Sequence, residues 1–225
     1  MLKGDYIGLS FFETTTFFTF LGAGQSVFAF TRQDDQYVWL VVPEHKFKDG
    51  TVAEDMSKDV LVEAYKKAPD NPYLPAIEYV GADIVFGHPE LDGRYSKIYK
   101  MKYYRDLTRE DDSQWMEMKR LHKVRAEGKN YVYDIYTSMG QEPSMTFLGN
   151  KAARFALIVA KKLDPKLQEA MKLLYDALIL MGKDGLTFEF NLRNVALDEN
   201  NHLVLRDPVY DSDITVRIKR DRASE

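Results

Sequence analysis

The first half of the chain carries short runs of aromatic and β-branched residues, which favour β-strands over helices. Glycines at positions 22 and 24 separate the second run from the third, and Pro43 ends the fourth because proline cannot donate to a strand ladder. A long loop precedes the last run. The predicted strands are Tyr6–Phe12, Thr16–Leu21, Ser26–Thr31, Tyr37–Val42, Ala76–Val80 and Arg94–Tyr103.

The second half of the chain is predominantly helical in its pattern. Asp164-Pro165 is a helix start signal, an N-capping carboxylate followed by proline at the first helical position. Apolar residues at helical spacing continue from there until Gly182 and Gly185. One helix is also expected before the fifth strand. The predicted helices are Ala53–Ala68, Ser113–Glu127, Lys151–Lys162 and Lys166–Met181.

A β-hairpin is predicted close to the end of the sequence. Val195–Leu197 and Leu203–Leu205 flank the polar run Asp198-Glu199-Asn200-Asn201, which is typical of a turn. A turn centred between Asn200 and Asn201 places Asn194 opposite Asp207. An amide oxygen beside a carboxylate suits magnesium, a hard cation that takes oxygen ligands. The spacing alone is equally compatible with two ordinary residues at the ends of a loop.

Composition narrows the classes of protein further. The net charge of −4 gives no general electrostatic attraction to nucleic acid, so nucleic-acid binding is not expected. The absence of cysteine excludes disulfides and thiolate chemistry, and it suits a cytoplasmic location. Thr14 to Thr31 is uncharged and contains five Phe, but its Thr, Gly and Ser content favours strands over a membrane segment. No membrane association is therefore expected.

One block of the sequence resembles the catalytic loop and metal site of protein kinases. The run from Glu189 to Val195, EFNLRNV, resembles the kinase loop D-x-x-x-x-N. Asp207-Pro208-Val209 resembles the kinase metal-site triplet in the form found in short kinases of lytic bacteriophages, and the spacing of 13 residues from Asn194 is that family's usual one. The resemblance implies that Glu189 is catalytic and that Asn194 and Asp207 are metal ligands.

Two further segments fit this resemblance in the expected order. Leu21 to Ser26, LGAGQS, resembles the glycine-rich loop that covers ATP phosphates, which implies that Gly22, Gly24 and Ser26 contact the nucleotide. Tyr99 to Tyr104 falls at the hinge between lobes, where the backbone at Met101 and Tyr103 is implied to bind adenine. The implied fold is α+β and two-lobed, with a β-rich N-lobe over 1–103 and a truncated, mainly helical C-lobe over 104–225.

Several positions depart from the kinase pattern. Glu189 replaces the catalytic aspartate and Asn191 replaces a basic residue or histidine. Leu40 occupies the position of the lysine that grips ATP, for which Lys46 and Lys48 are the alternatives nearest in sequence. Glu54 and Glu63, on the following helix, are candidate acidic partners for such a lysine. Only 18 residues follow Asp207, so the segment that binds peptide in larger kinases is not expected.

The resemblance implies ATP- and magnesium-dependent phosphotransfer to serine or threonine of a host bacterial protein, in the cytoplasm of an infected cell. The departures leave open a catalytically inactive pseudokinase that binds and inhibits a host protein. A small-molecule kinase of the aminoglycoside-phosphotransferase type is a third option. The basic run Arg217–Arg222 is interpreted as a solvated tail or as an anchor for an acidic partner.

Overall fold

The computed structural model describes residues 1–24, 26–33, 35–121, 123, 164–183, 185–189 and 193–223. These ranges form a mixed α+β structure with a curled antiparallel sheet and four helices, which confirms the predicted α+β class. The predicted helix Lys151–Lys162, the end of the predicted helix Ser113–Glu127 and Asn191 lie outside the described residues.

The described chain divides into two compact units. The first contains Met1–Asp55, Ala76–Tyr103 and Arg217–Glu225, and the second contains Met56–Pro75 and Tyr104–Val216. The sequence-based boundary after residue 103 coincides with one of these divisions. Residues 56–75, placed by the sequence with the N-lobe, belong to the second unit.

The first unit is built on a six-stranded antiparallel sheet with the strand order β1-β2-β3-β4-β8-β7. A separate two-stranded ladder, β5 with β6, accompanies it. The strands of this unit are β1 (Tyr6–Phe11), β2 (Thr14–Ala23), β3 (Phe28–Thr31), β4 (Tyr37–Pro43), β5 (His45–Lys46), β6 (Val52–Ala53), β7 (Ile77–Val85) and β8 (Arg94–Lys102).

The sheet curls until its two edges meet at one end. Ser10 and Phe86 exchange two backbone hydrogen bonds of 3.1 Å, which joins β1 to the residue that follows β7. The concave face holds an aromatic and aliphatic core that includes Leu9, Phe18 and Phe30. Closure of this kind buries apolar side chains and protects edge strands from further pairing.

The strand bounds differ from the predicted ones by one to five residues, and for two strands the local reason is clear. β7 extends to Val85 because a register shift between Tyr79 and Gly81 accommodates the glycine without ending the ladder. β3 begins at Phe28 because the turn before it closes later, with the Gly24 N–H donating to the Val27 carbonyl at 2.7 Å. The segment Thr14–Thr31 forms β2 and β3, as its composition predicted.

The second unit contains the other elements. Its helices are α1 (Ser57–Lys67), α2 (112–121) and α3 (Pro165–Leu180), and α4 (Ser212–Ala223) begins in it. Its strands are β9 (Arg105–Asp106), β10 (Leu186–Phe188), β11 (Ala196–Leu197), β12 (Leu203–Val204) and β13 (Val209–Asp211). β10 pairs with β13, and β11 lies between β12 and β9.

Helix α3 begins where the sequence predicted. The Asp164 carboxylate accepts hydrogen bonds from the backbone N–H groups of Lys166 at 2.8 Å and Leu167 at 3.3 Å, and Pro165 follows the cap. Its apolar face packs against α1. α1 begins at Ser57, later than predicted, because Val52–Ala53 pairs with β5 instead of becoming helical.

The basic run near the end of the sequence is helical, in α4, and one of its members is engaged within the first unit. The Arg217 guanidinium donates to the Asp49 carboxylate at 2.7 Å and lies 3.8 Å from the centre of the Phe47 ring. Arg217 is therefore held in place and is not part of a freely solvated tail. Among the described residues, no helix has both the length and the apolarity needed to span a membrane.

Candidate functional site

The hairpin β11–β12 sets the position of the candidate site. Ala196 pairs with Val204 and Leu197 with Leu203, so the turn is centred on Asn200. The predicted register, centred between residues 200 and 201, is wrong by half a step. The cause is the Asp198 carboxylate, whose Oδ1 accepts from the N–H groups of Asn200 and His202 at 2.8 Å each and fixes the turn.

Asn194 and Asp207 nevertheless lie side by side. The Asp207 N–H donates to the Asn194 carbonyl at 2.8 Å. The chain corrects the half-residue offset of the hairpin after β12, because it bends there: the Arg206 N–H donates to the Val204 carbonyl at 3.0 Å. The predicted juxtaposition is thus present, although it arises from an irregular strand end and not from a continuous ladder.

Glu189 is the third predicted residue that the structure brings to this place. The Asn194 side-chain nitrogen donates to the Glu189 carboxylate at 3.0 Å and to the Glu189 carbonyl at 3.1 Å. The Glu189 N–H in turn donates to the Pro208 carbonyl at 2.8 Å. Because Nδ2 of Asn194 makes both of these bonds, its side-chain oxygen Oδ1 is not used in the contact with Glu189.

Lys58 is the residue that the sequence analysis missed. It lies in the first turn of α1, and its ammonium forms an ion pair with Oδ1 of Asp207. The Lys58 side chain is only 3% exposed, whereas that of Asp207 is 41% exposed. The sequence did contain a signal, because Lys58 occupies the same helical stripe as the apolar residues Leu61, Val62 and Tyr65.

The chemistry of these donors fits a magnesium ion. Asp207 Oδ2 and Asn194 Oδ1 are hard oxygen donors on neighbouring backbone segments, and the Glu189 carboxylate is hydrogen-bonded to the Asn194 amide nitrogen. Among the described residues, no group of three or more His, Cys, Asp or Glu side chains is arranged for a metal. A cation here would therefore complete its coordination with water or substrate oxygens, which is usual for magnesium.

The glycine-rich segment belongs to the first unit. Gly22 was predicted to separate two strands, but it lies within β2, paired with Ala29 after a register shift, and only Gly24 lies in the turn before β3. Gly22 has φ of 144°, and a β-carbon there would meet nothing within 4 Å, so the backbone is open to close approach. Gly24 donates its N–H within the turn to Val27, and the Ser26 hydroxyl donates to the buried carboxylate of Asp55. The role of these three residues in nucleotide binding stays a prediction.

The two residues predicted to contact adenine are also in the first unit. Met101 is buried in β8 between Val38 and Ile77. Tyr103 has an exposed side chain, and its N–H donates to the Gln36 carbonyl at 2.8 Å. Their contact with a nucleotide base stays a prediction.

The departures from the kinase pattern have clear structural settings. Leu40 is buried in β4 opposite Tyr99. Of the two acidic candidates, Glu54 pairs with Lys97 at 2.8 Å and Glu63 pairs with Lys66 at 2.9 Å. Glu54 and Glu63 are thus paired with lysines other than Lys46 and Lys48, the two lysines that follow β4 in the sequence.

Comparisons of the chain with protein-family models, with curated proteins and with solved structures found no match.

Proposed function

We propose that this chain is an ATP- and magnesium-dependent phosphotransferase with a two-lobed, protein-kinase-like fold. The observation that carries the proposal is the contact network of Glu189, Asn194 and Asp207. Backbone and side-chain hydrogen bonds of 2.8 to 3.1 Å hold these three residues together in the second unit. They are the residues that the resemblance assigned to catalysis and metal binding.

Each residue has a defined role in this proposal. Asp207 and Asn194 would hold magnesium, which neutralises charge on the phosphate oxygens during transfer. Glu189 would orient the acceptor hydroxyl and accept its proton. A bond then forms between the acceptor oxygen and the terminal phosphorus of ATP, and the bond from that phosphorus to the bridging oxygen breaks, which leaves ADP.

The bond from Asn194 to Glu189 supports this assignment of roles. Glutamate is one methylene longer than the aspartate usual at such a position, and a displacement of about 1 Å can reduce a rate about a hundredfold. The Asn194 amide restrains the longer side chain by holding its carboxylate at 3.0 Å. We therefore expect slow phosphotransfer that depends on the contact between Asn194 and Glu189.

The proposed acceptor is serine or threonine of a host bacterial protein, in the host cytoplasm. This part of the proposal rests on the similarity of Asp207-Pro208-Val209 to short bacteriophage kinases. The exposed part of the Asp207 side chain is consistent with a site that a large substrate can reach.

A catalytically inactive binding protein is the second candidate. It is favoured by the ion pair of Lys58 with Asp207, which already places a positive charge on the carboxylate meant for the metal. It is favoured also by the buried Leu40 at the position of the ATP-gripping lysine.

A transfer assay separates the two candidates. The purified chain is incubated with magnesium, terminally labelled ATP and a bacterial protein extract, and labelled protein is quantified. Asp207→Asn keeps the side-chain shape but removes the charged ligand, whereas Asp70→Asn alters an exposed aspartate of the same unit.

We expect wild type and the Asp70 variant to transfer label equally. Asp207→Asn should reduce transfer about 10- to 100-fold or more. Loss of a contact that supports a metal ligand typically has an effect of this size, and loss of the ligand itself should have at least the same effect. Equal transfer by the Asp207 variant and wild type would contradict the proposal. Wild type that binds a bacterial protein but transfers no label would favour the binding protein.

A further inference from the structure

Lys58 carries its charge in a position that protein stability alone disfavours. The side chain is nearly fully buried, and dehydration of an ammonium is costly even when it is paired. Lys58 also lies in the first turn of α1, where the helix dipole favours negative charge over positive charge. An apolar side chain of similar size would avoid both costs, so the charge itself is the feature that needs an explanation.

The ammonium retains donors beyond the one used on Asp207. A lysine ammonium has three N–H donors, and among the described residues Lys58 makes one hydrogen bond, to Asp207 Oδ1. The Asp207 side chain that this ammonium contacts is 41% exposed, so a ligand that reaches Asp207 comes close to Lys58. The group is therefore equipped to bind a further anionic oxygen beside Asp207.

The same carboxylate can serve Lys58 and a cation together. Lys58 contacts Oδ1, which leaves Oδ2 of the same carboxylate for magnesium, and the backbone of Asp207 is hydrogen-bonded to that of Asn194. A lysine ammonium and a magnesium ion on one carboxylate would present two cations to a phosphate group. Transfer of a phosphoryl group depends on electrostatic stabilisation of this kind.

We infer that Lys58 is a catalytic residue that binds a phosphate oxygen of ATP and replaces the lysine absent at Leu40. The inference rests on the proposed function. It assigns the phosphate contact to α1 of the second unit, and not to Lys46 or Lys48 of the first.

Ligand binding by lysine variants tests this role. Lys58→Met removes the charge and keeps the approximate length of the side chain, and Lys58→Arg keeps the charge. Lys172→Met is the matched control, because Lys172 pairs with Asp176 at 2.8 Å on the exposed face of α3. The affinities of each protein for magnesium-ATP and for adenosine are measured by calorimetry, and thermal unfolding without ligand confirms that each variant is folded.

We expect Lys58→Met to bind magnesium-ATP at least about tenfold more weakly than wild type, since a hydrogen bond to a charged group is lost. Its affinity for adenosine should be unchanged, because adenosine has no phosphate. Lys58→Arg should retain more of the affinity for magnesium-ATP than Lys58→Met, and Lys172→Met should resemble wild type.

Three outcomes would overturn the inference. Undiminished binding of magnesium-ATP by Lys58→Met would show that the ammonium does not contact phosphate. Equal losses for ATP and adenosine would indicate a purely structural role. Absence of magnesium-ATP binding by wild type would refute the proposed function itself, and the inference with it, whereas the first two outcomes leave the proposed function intact.

Discussion

Loss of Lys58 and loss of Asp207 should lower the free energy of unfolding by different amounts, because the two partners of this ion pair differ in exposure. Asp207→Ala removes the carboxylate that Lys58 pairs with among the described residues, and it leaves the Lys58 ammonium on a side chain that is only 3% exposed. Lys58→Met leaves a carboxylate that is 41% exposed and can be hydrated. We therefore expect loss of the aspartate to destabilise the protein much more than loss of the lysine.

Removal of one partner of a fully buried pair typically costs about 3–5 kcal/mol, and partial exposure of Asp207 places this case near the lower end, about 3 kcal/mol. Loss of the lysine leaves a carboxylate that water can reach, so its cost should be close to that of an exposed ion pair, roughly 1 kcal/mol. Because about 1 kcal/mol shifts the melting temperature of a chain of this length by about 2–4 °C, Asp207→Ala should melt roughly 6–12 °C below wild type.

Denaturant unfolding of wild type, the two single variants and the double variant, all without nucleotide, measures these differences. The double variant should be more stable than Asp207→Ala alone, because the second change removes the stranded charge. Equal costs for the two single variants, or additive costs in the double variant, would refute the reasoning from burial.

Three further predictions concern stability elsewhere in the chain. Burial among phenylalanine rings lowers the pKa of His88, whose Nε2 has no partner among the described residues, so stability present at higher pH should fall as the pH drops below about 6.5. His88→Phe should weaken the dependence of the melting temperature on pH between 7.5 and 5.5. Gly87→Ala should cost about 3 kcal/mol or more in denaturant unfolding, because φ is +100° and the new β-carbon would lie 2.1 Å from a backbone oxygen. The control Gly93→Ala has φ of +71° in open space and should cost about 1–2 kcal/mol. Asp164→Ala should lower stability by about 1 kcal/mol through loss of the α3 cap, measured in the same way.

Local patterns were sufficient to predict most elements. Strands β1 to β4 follow from their aromatic and β-branched runs, and α3 follows from its cap and apolar stripe. These signals are local, since each depends on neighbours within a few residues. The start of α1 was missed because pairing of Val52–Ala53 with another segment overrode the local helical tendency.

The site was predictable only in part for the same reason. Spacing and resemblance predicted that Asn194 and Asp207 are adjacent. The structure shows this contact, but through a different hairpin register. The contact of Lys58 with Asp207 joins residues 149 positions apart, and no periodicity within one helix specifies such a partner. The sequence marked Lys58 only as a charge on an apolar face.

The central claim, that Asp207 and Asn194 form a nucleotide-metal site, is tested most directly by thermal unfolding with and without magnesium-ATP. Wild type and Asp70→Asn should gain about 2.7 kcal/mol when the ligand is at 100 times its dissociation constant, a rise of roughly 5–10 °C. Asp207→Asn should lose most of this rise at the same ligand concentration. An equal rise in Asp207→Asn, or no rise in wild type, would contradict the account.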